Sequence, residues 1–227
     1  MWMRLAALFS GGKDSSLAVQ RALEIGHSVT RLVSITPGTN ESYMFHFPNT
    51  GITVLQSQAA GIPIVRAESK GVKEEEVRDM EDVLRSLSKN IEGVVVGALA
   101  SSYQKERVER VCKRLGLEMV APLWHQDPRR LWDEMLQKGF RIMMVGVACD
   151  GLGREWLGRV IDKESLDELD KLSRKHIFHL GGEGGEFESF TLDAPFFRKR
   201  IEVRKGRAQW DGDSGYFLIE EARLAGK

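Results

Sequence analysis

The stretch RLAALFSGGKDSS, from Arg4 to Ser16, decides the fold predicted for this chain of 227 residues. Its first six residues, Arg4 to Phe9, form an apolar run typical of a strand that is buried on both faces, as in a parallel sheet. A glycine-rich turn follows, and a helical pattern begins at Asp14 and ends near Gly26. Because ligands bind outside the carboxyl ends of strands in such sheets, this order predicts an anion site at the turn.

Further apolar runs alternate with helical patterns and predict a doubly wound α/β sheet. The predicted strands cover 28–35, 62–69, 93–100 and 117–123, and two predicted helices cover 73–89 and 101–116. After residue 123 the pattern changes to a strand at 139–148, a helix at 163–175 and a C-terminal pair of strand-like runs around a Gly/Asp turn. We therefore expect two domains, a doubly wound parallel sheet over 1–123 and a second, smaller α/β domain over 124–227.

Composition excludes several classes of protein. The formal net charge is zero, so neither a basic nucleic-acid platform nor a nucleic-acid partner is expected. The two cysteines, Cys112 and Cys149, form no CxxC pair, which argues against a disulfide framework or a cysteine-rich zinc site. The apolar part of the N-terminus is too short for a signal peptide or a membrane span, so we expect a cytoplasmic protein without membrane contact. A homo-oligomeric state is compatible with the sequence.

The turn itself departs from the Walker A pattern GxxxxGK[ST], because Asp14 follows Gly12 and Lys13. Free N–H groups and serine hydroxyls can still hold phosphate oxygens there. A carboxylate beside polyphosphate requires a cation, which predicts Asp14 as a Mg²⁺ ligand. The alternative is that Asp14 is a plain helix N-cap, which leaves its neighbours unexplained. The predicted nucleotide-binding residues of the turn are Ser10, Gly11, Gly12, Lys13, Asp14, Ser15 and Ser16.

Two other stretches lie where the sheet would present them to a nucleotide. In YMFHFPN, Met44 and His46 could line the adenine or ribose site, although such a histidine is more often a packed loop residue. In GALASSYQKERVE, the polar side chains begin a helix after a strand, and the alternative is a capping box with solvated charges. The candidate nucleotide contacts in this second stretch are Gly97, Tyr103, Gln104 and Arg107.

A third stretch, GGEGGEFES from Gly181 to Ser189, combines four glycines with three glutamates. An acidic, flexible surface loop is the alternative, but such a loop does not need the flanking Phe187 and Phe190. The three candidate catalytic residues here are Glu183, Glu186 and Glu188. They could supply a second metal ligand, a general base or hydrogen bonds that position an amine, and spacing does not decide between these roles.

SGGKDS resembles the SGGxDS loop of the ATP pyrophosphatase (PP-loop) superfamily, a Rossmann-like fold in which this loop binds the pyrophosphate of ATP. With GALASSYQKERVE, PLWHQDP and GGEGGEFES in this order, the chain resembles the diphthine–ammonia ligase family over nearly its whole length. The resemblance implies amidation of diphthine on translation elongation factor 2 with ATP and ammonium, releasing AMP and pyrophosphate. The first domain would bind ATP with catalytic Lys13 and Asp14, and the second would bind the substrate.

The ammonia source and two alternative functions complete the sequence-based expectations. The chain has no length to spare for a glutaminase domain, and Cys112 lies on a predicted core stripe, so free ammonium is the expected donor. One alternative is a tRNA-modifying adenylating enzyme of the same superfamily, although the paired cysteines of thiolating members are absent. The other is a non-catalytic nucleotide sensor, which would need neither Asp14 nor the glutamates.

Overall fold

The computed structural model describes residues 2–37, 49–69, 75–99 and 102–227. Its first sheet is five-stranded and parallel, with the strand order β3-β2-β1-β4-β5. The strands are β1 (Arg4–Leu8), β2 (Ser28–Pro37), β3 (Ile64–Ser69), β4 (Gly93–Val95) and β5 (Glu118–Val120). The helices of this half are α1 (Lys13–Glu24), α2 (Thr53–Ala60), α3 (Glu75–Leu87) and α4 (Ser102–Leu115). The predicted doubly wound parallel sheet is confirmed.

The apolar run in β1 explains its central place in this sheet. Leu5 and Ala7 pack into the core on one face, and Ala6 packs into a separate core on the other, where Met80 of α3 and Val111 of α4 cover it. All three β1 side chains are at most 1% exposed. A strand buried on both faces needs no polar alternation, which is why this run is continuous.

The second sheet is four-stranded, with the order β7-β6-β9-β8 and antiparallel pairing. Its strands are β6 (Arg141–Val147), β7 (Phe187–Asp193), β8 (Arg200–Asp211) and β9 (Ser214–Ala225), and its helices are α5 (Pro128–Gln137) and α6 (Lys163–His176). The predicted C-terminal hairpin is confirmed: β8 and β9 pair along their length, and Gly212 at the turn has φ +68°.

Three elements were missing from the sequence-based prediction: α2, α5 and β7. The signal for α5 was present, since Asp127 caps the helix by accepting from Arg130 N–H at 2.9 Å and Pro128 takes the first helical position. β7 follows a glycine-rich stretch that hid it. Its residues Phe187 and Phe190 are at most 3% exposed, as predicted for anchors of that stretch.

The two sheets share one hydrophobic core. Leu17 of α1, Trp132 of α5 and Phe190 of β7 all belong to it. This shared core brings β7 next to the beginning of α1, and it is there that the predicted site residues meet. Within the described ranges, no helix is both long and apolar enough to cross a membrane.

Candidate functional site

The predicted phosphate loop joins β1, the central strand, to α1. Gly11 has φ +84°, a left-handed conformation that glycine adopts without strain. Gly12 is the helix N-cap and brings no side chain to the end of α1. Ser10 Oγ accepts from Gly12 N–H at 3.3 Å and lies 3.2 Å from Ser15 Oγ. Because a helix N-terminus attracts anions, the loop is built as expected for phosphate binding.

Asp14 lies in the first turn of α1, not at its cap, so the alternative that it is the helix N-cap is wrong. Its Oδ2 accepts from Lys13 Nζ at 2.5 Å. Its Oδ1 is buried and has no hydrogen-bond partner among the described residues. Burial raises the pKa of the Asp14 carboxyl, although the neighbouring Lys13 ammonium opposes the rise. A carboxylate oxygen without a partner fits the role of a Mg²⁺ ligand. Phosphate oxygens and water would complete the coordination of the ion.

Gly97 supports the loop from the end of β4. A Cβ at Gly97 would lie 2.7 Å from both the carbonyl carbon of Asp14 and the nitrogen of Ser15. The chain after β4 can therefore approach the first turn of α1 only because residue 97 lacks a side chain. Gly97, predicted as a nucleotide contact, lies directly against the loop backbone.

Lys13 points toward the second half of the chain. Its side chain is only 4% exposed, and Nζ donates to Gly181 O at 2.6 Å as well as to Asp14. Nζ also lies 5.7 Å from the ring centroid of Trp132 and 5.4 Å from that of Phe187. Carboxylate, carbonyl and aromatic faces together compensate the burial of this ammonium group.

Strand β7 holds the phosphate loop through hydrogen bonds. Ser189 Oγ accepts from Lys13 N–H at 3.2 Å, and Thr191 N–H donates to Gly11 O at 2.9 Å. Gln56 of α2, fully buried, donates from Nε2 to both Gly11 O and Thr191 O at 2.8 Å. Gln56 and Thr191 were missed from the sequence, where the only signal was a glutamine in a short apolar segment.

The acidic stretch is a loop that runs into β7, and its three glutamates occupy different environments. Glu186 accepts from His179 N–H at 2.9 Å through Oε1 and from Gly184 N–H at 2.7 Å through Oε2, so it organises the loop. The charge of Glu183 contributes to the raised pKa of Asp14. Burial raises the pKa of Glu188 to about 8, with Lys13 opposing and Asp14 adding to the rise.

His179 was also missed from the sequence. Its Nδ1 accepts from Gly181 N–H at 3.2 Å, and the ring is near enough to Asp14 for a positive charge on it to lower the pKa of that carboxyl. Its side chain therefore belongs to the same electrostatic environment as the phosphate loop. A lone histidine followed by glycines carries no sequence signal for this position.

The remaining predicted residues lie away from the phosphate loop or outside the described part of the chain. Met44 and His46 fall outside the described residues, as do the side chains of Tyr103 and Gln104 on α4. Arg107 lines a cavity of about 340 Å³ between α3 and α4. The other residues that line this cavity are Val77, Arg78, Glu81, Arg110 and Arg114. The structure thus brings together the phosphate loop, Gly97 and the acidic stretch, and places Arg107 between the two helices.

Comparison with known proteins identifies this arrangement. Residues 3–119 match the family model of the diphthamide synthase N-terminal domain, and residues 127–225 match that of the diphthamide synthase C-terminal domain. The chain belongs to the diphthamide synthase family. The phosphate loop lies in the first matched region of the diphthamide synthase models and the acidic stretch in the second, so the site draws on both.

Curated relatives of the diphthamide synthase family align over most of the chain. Diphthine–ammonia ligase of Rattus norvegicus is 35% identical over 99% of this chain and 91% of its own length. The ligase of Homo sapiens is 36% identical over 88% of this chain and 83% of its own length. The ligase of Mus musculus is 34% identical over 98% of this chain and 91% of its own length. The family predicted from the sequence is confirmed, and with it the prediction that the chain is an ATP-dependent ligase.

Proposed function

We propose that this diphthamide synthase family member amidates the carboxylate of diphthine on translation elongation factor 2, using ATP and ammonium. The relatives' name, diphthine–ammonia ligase, supports the substrate and the nucleophile. The observation that carries the proposal is the direct contact between the phosphate loop and the acidic stretch: Lys13 bonds to Gly181 and Ser189 of the second family region. A nucleotide loop and an acceptor site must adjoin for the two substrates to react.

The chemistry proceeds in two steps. A carboxylate oxygen of diphthine attacks the α-phosphorus of ATP, and pyrophosphate leaves with the electrons of the broken P–O bond. Ammonia, formed from ammonium by loss of a proton, then attacks the acyl carbon. The C–O bond to AMP breaks, AMP leaves, and the nitrogen loses a second proton as the amide forms. Adenylation is needed because an oxide ion is too poor a leaving group for direct attack.

The residues of the site have distinct roles in this scheme. The loop N–H groups and the hydroxyls of Ser10 and Ser15 hold the β- and γ-phosphates, and Lys13 adds positive charge nearby. Asp14 would hold Mg²⁺ through its unpartnered Oδ1, and bound Mg²⁺ supplies neutralisation of the charge that grows on pyrophosphate. Residues 1–123 then form the nucleotide domain and 124–227 the acceptor domain. Met44, His46, Tyr103, Gln104 and Arg107 stay predicted nucleotide contacts.

The decisive experiment supplies ATP, ¹⁵N-ammonium and elongation factor 2 that bears diphthine, and measures AMP, pyrophosphate and ¹⁵N in the protein. We expect all three products in equal amounts. Asp14→Asn keeps the side-chain shape but weakens the metal ligand, so AMP formation should fall about 100-fold or more. Asp213→Asn, in the exposed turn of the β8–β9 hairpin, is the matched control and should leave AMP formation unchanged.

Two results would contradict the proposal. The first is bound ATP without any AMP in the complete mixture. The second is stimulation of pyrophosphate release by unmodified tRNA in place of the elongation factor, which would favour a tRNA-adenylating enzyme. Wild-type AMP formation by Asp14→Asn would leave the two-step scheme intact but remove Asp14 from it.

A further inference from the structure

Ile177 combines a strained backbone with an exposed side chain. It follows α6 in the left-handed conformation, with φ +57° and ψ +48°. A β-branched side chain crowds the backbone in this conformation, so isoleucine is among the residues least suited to it. The Ile177 side chain is 92% exposed, whereas the next most exposed large apolar side chain in the described ranges, that of Ile25, is 64% exposed. Neither backbone conformation nor packing within the chain accounts for an isoleucine at this position.

The other helices of the chain show which residue such a position ordinarily holds. At the end of α6, Ile177 N–H and Phe178 N–H both donate to Ser173 O, the second at 3.1 Å. A turn of this kind needs one left-handed residue, and glycine supplies it without strain. Four other helices, α1, α2, α4 and α5, end at a glycine with positive φ, and these are Gly26, Gly61, Gly116 and Gly139. Of the five helices that end in this way, α6 alone has isoleucine there.

Within the described ranges, one other non-glycine residue has a positive φ, and its side chain is used inside the chain. His125 has φ +56°, and its ring packs against Trp124 with the two ring centroids 4.5 Å apart. Histidine also tolerates the left-handed region better than a β-branched residue does. Ile177 is almost fully exposed and gains no such packing. The contact that its side chain serves therefore has to come from outside the chain.

Ile177 lies near the candidate site. The segment from Ile177 to Gly181 leads from α6 to the phosphate loop, where Gly181 O accepts from Lys13 Nζ at 2.6 Å. Four residues span at most about 14 Å, so Ile177 lies within that distance of Gly181. A typical protein–protein interface buries about 800 Å² on each partner, which corresponds to a disc about 16 Å in radius. A protein docked over the site with an interface of this size reaches the end of α6.

We propose that Ile177 is a docking contact for the protein that carries the acceptor carboxylate. The inference rests on the proposed function and adds to it a part of the surface that the protein substrate covers. The last turn of α6 carries Arg174, Lys175 and His176, of which Lys175 is exposed and forms no ion pair within the described residues. An apolar side chain beside positive charge fits an apolar pocket with acidic groups at its rim. The strained isoleucine is kept because docking buries it.

The first test measures the strain through thermal unfolding. Ile177→Asn introduces a residue that tolerates the left-handed conformation and removes no packed side chain, so the Tm should rise by about 2–4 °C. Ile25→Asn is the matched control, because Ile25 is an exposed isoleucine at the end of α1 with an ordinary φ of −81°. This control should not raise the Tm. A Tm of Ile177→Asn at or below the wild-type value would overturn the inference, since the folded chain itself would then need the isoleucine.

The second test measures amidation as a function of the concentration of diphthine-bearing elongation factor 2. In Ile177→Asn the KM for the factor should rise at least about tenfold, because burying an isoleucine side chain is worth at least that factor in affinity. The kcat and the KM for ATP should change less than about twofold. Ile177→Leu keeps an apolar side chain and should hold the KM for the factor within about threefold of the wild-type value. Ile25→Asn should leave it unchanged, and an unchanged KM in Ile177→Asn would overturn the inference.

A binding measurement separates this inference from the proposed function. Calorimetric titration without ATP gives the Kd of the diphthine-bearing factor for each protein. The Kd should rise at least about tenfold in Ile177→Asn and stay at the wild-type value in Ile25→Asn. An equal Kd for the wild-type protein and Ile177→Asn, with amidation intact, would overturn only the inference. Missing amide with the difference in Kd intact would overturn only the proposed function.

Discussion

The phosphate loop and the acidic stretch are in contact, but they are held in different ways. The loop lies between a central strand and the helix that follows it, and its own residues Ser10 and Gly12 bond to each other. The acidic stretch is held by other elements and by one of its own side chains. Lys13 of α1 donates to Gly181 O, and the indole of Trp132 in α5 donates to Leu180 O at 3.0 Å. Within the stretch, the Glu186 carboxylate accepts from backbone N–H groups. Chain connectivity shapes the first region, which β7 and Gln56 then hold through hydrogen bonds, whereas the second region has no strand–turn–helix unit to shape it.

This difference has an energetic meaning. A strand–turn–helix unit sets the direction of its turn by connectivity, and the hydrogen bonds from β7 and Gln56 then hold the turn in place. A glycine-rich loop loses more backbone entropy when it is ordered, and buried hydrogen bonds must compensate. Substitutions should therefore disturb the loop mainly through steric overlap and the acidic stretch mainly through lost contacts. The predictions that follow probe this contrast.

The largest effect is expected for Gly97→Ala. The new methyl group would overlap the backbone of Asp14 and Ser15, which cannot move without displacing α1. We expect the free energy of unfolding to fall by at least about 3 kcal/mol, with loss of measurable ATP binding. Calorimetric titration with ATP and denaturant unfolding would measure both.

Gly51→Ala is the control for that substitution, because a Cβ at Gly51 meets nothing within 4 Å. It should bind ATP as the wild-type protein does. If Gly97→Ala also bound ATP normally, steric overlap would not be what disturbs the phosphate loop, and the contrast would disappear.

An intermediate effect is expected for Gln56→Ala, which cuts a link between the phosphate loop and β7, the strand into which the acidic stretch runs. Gln56 loses two hydrogen bonds to Gly11 and Thr191 and leaves a buried cavity, so stability should fall by about 2–4 kcal/mol. Gln58→Ala, exposed on the same helix, should change stability by less than about 0.5 kcal/mol. Equal midpoints in urea for the two variants would show that the link through α2 carries no stability.

The same contrast explains what the sequence could predict. The parallel sheet, the phosphate loop and the hairpin follow from periodicity and turn residues, which act within a few positions along the chain. Gln56, Thr191 and His179 were missed because their contacts join residues far apart in sequence, such as the 135 positions between Gln56 and Thr191. Strand β7 was hidden for a related reason: its anchor Phe187 was recognised, but only the partner strand β6 shows that it is a strand.

The smallest effect is expected from pH acting on Glu188. In the folded protein, burial raises the pKa of the Glu188 carboxyl to about 8, so the protonated side chain is favoured there. The resulting contribution to the free energy of unfolding is complete below the ordinary pKa of glutamate and is lost as the pH rises through about 8. Without ammonium or Mg²⁺, the wild-type protein should lose about 1–3 kcal/mol more than Glu188→Gln between about pH 5 and about pH 9. Thermal unfolding at both pH values measures this, and parallel losses in the two proteins would contradict it.

The hydrogen bond from Ser189 to Lys13 joins positions 176 residues apart. During synthesis, the nucleotide loop therefore leaves the ribosome long before its partners on β7 exist. It follows that a nascent or shortened chain that ends before residue 189 carries the loop sequence without the contacts that hold it, and should bind ATP poorly. The part of the candidate site that is synthesised first is therefore completed only when β7 has been made.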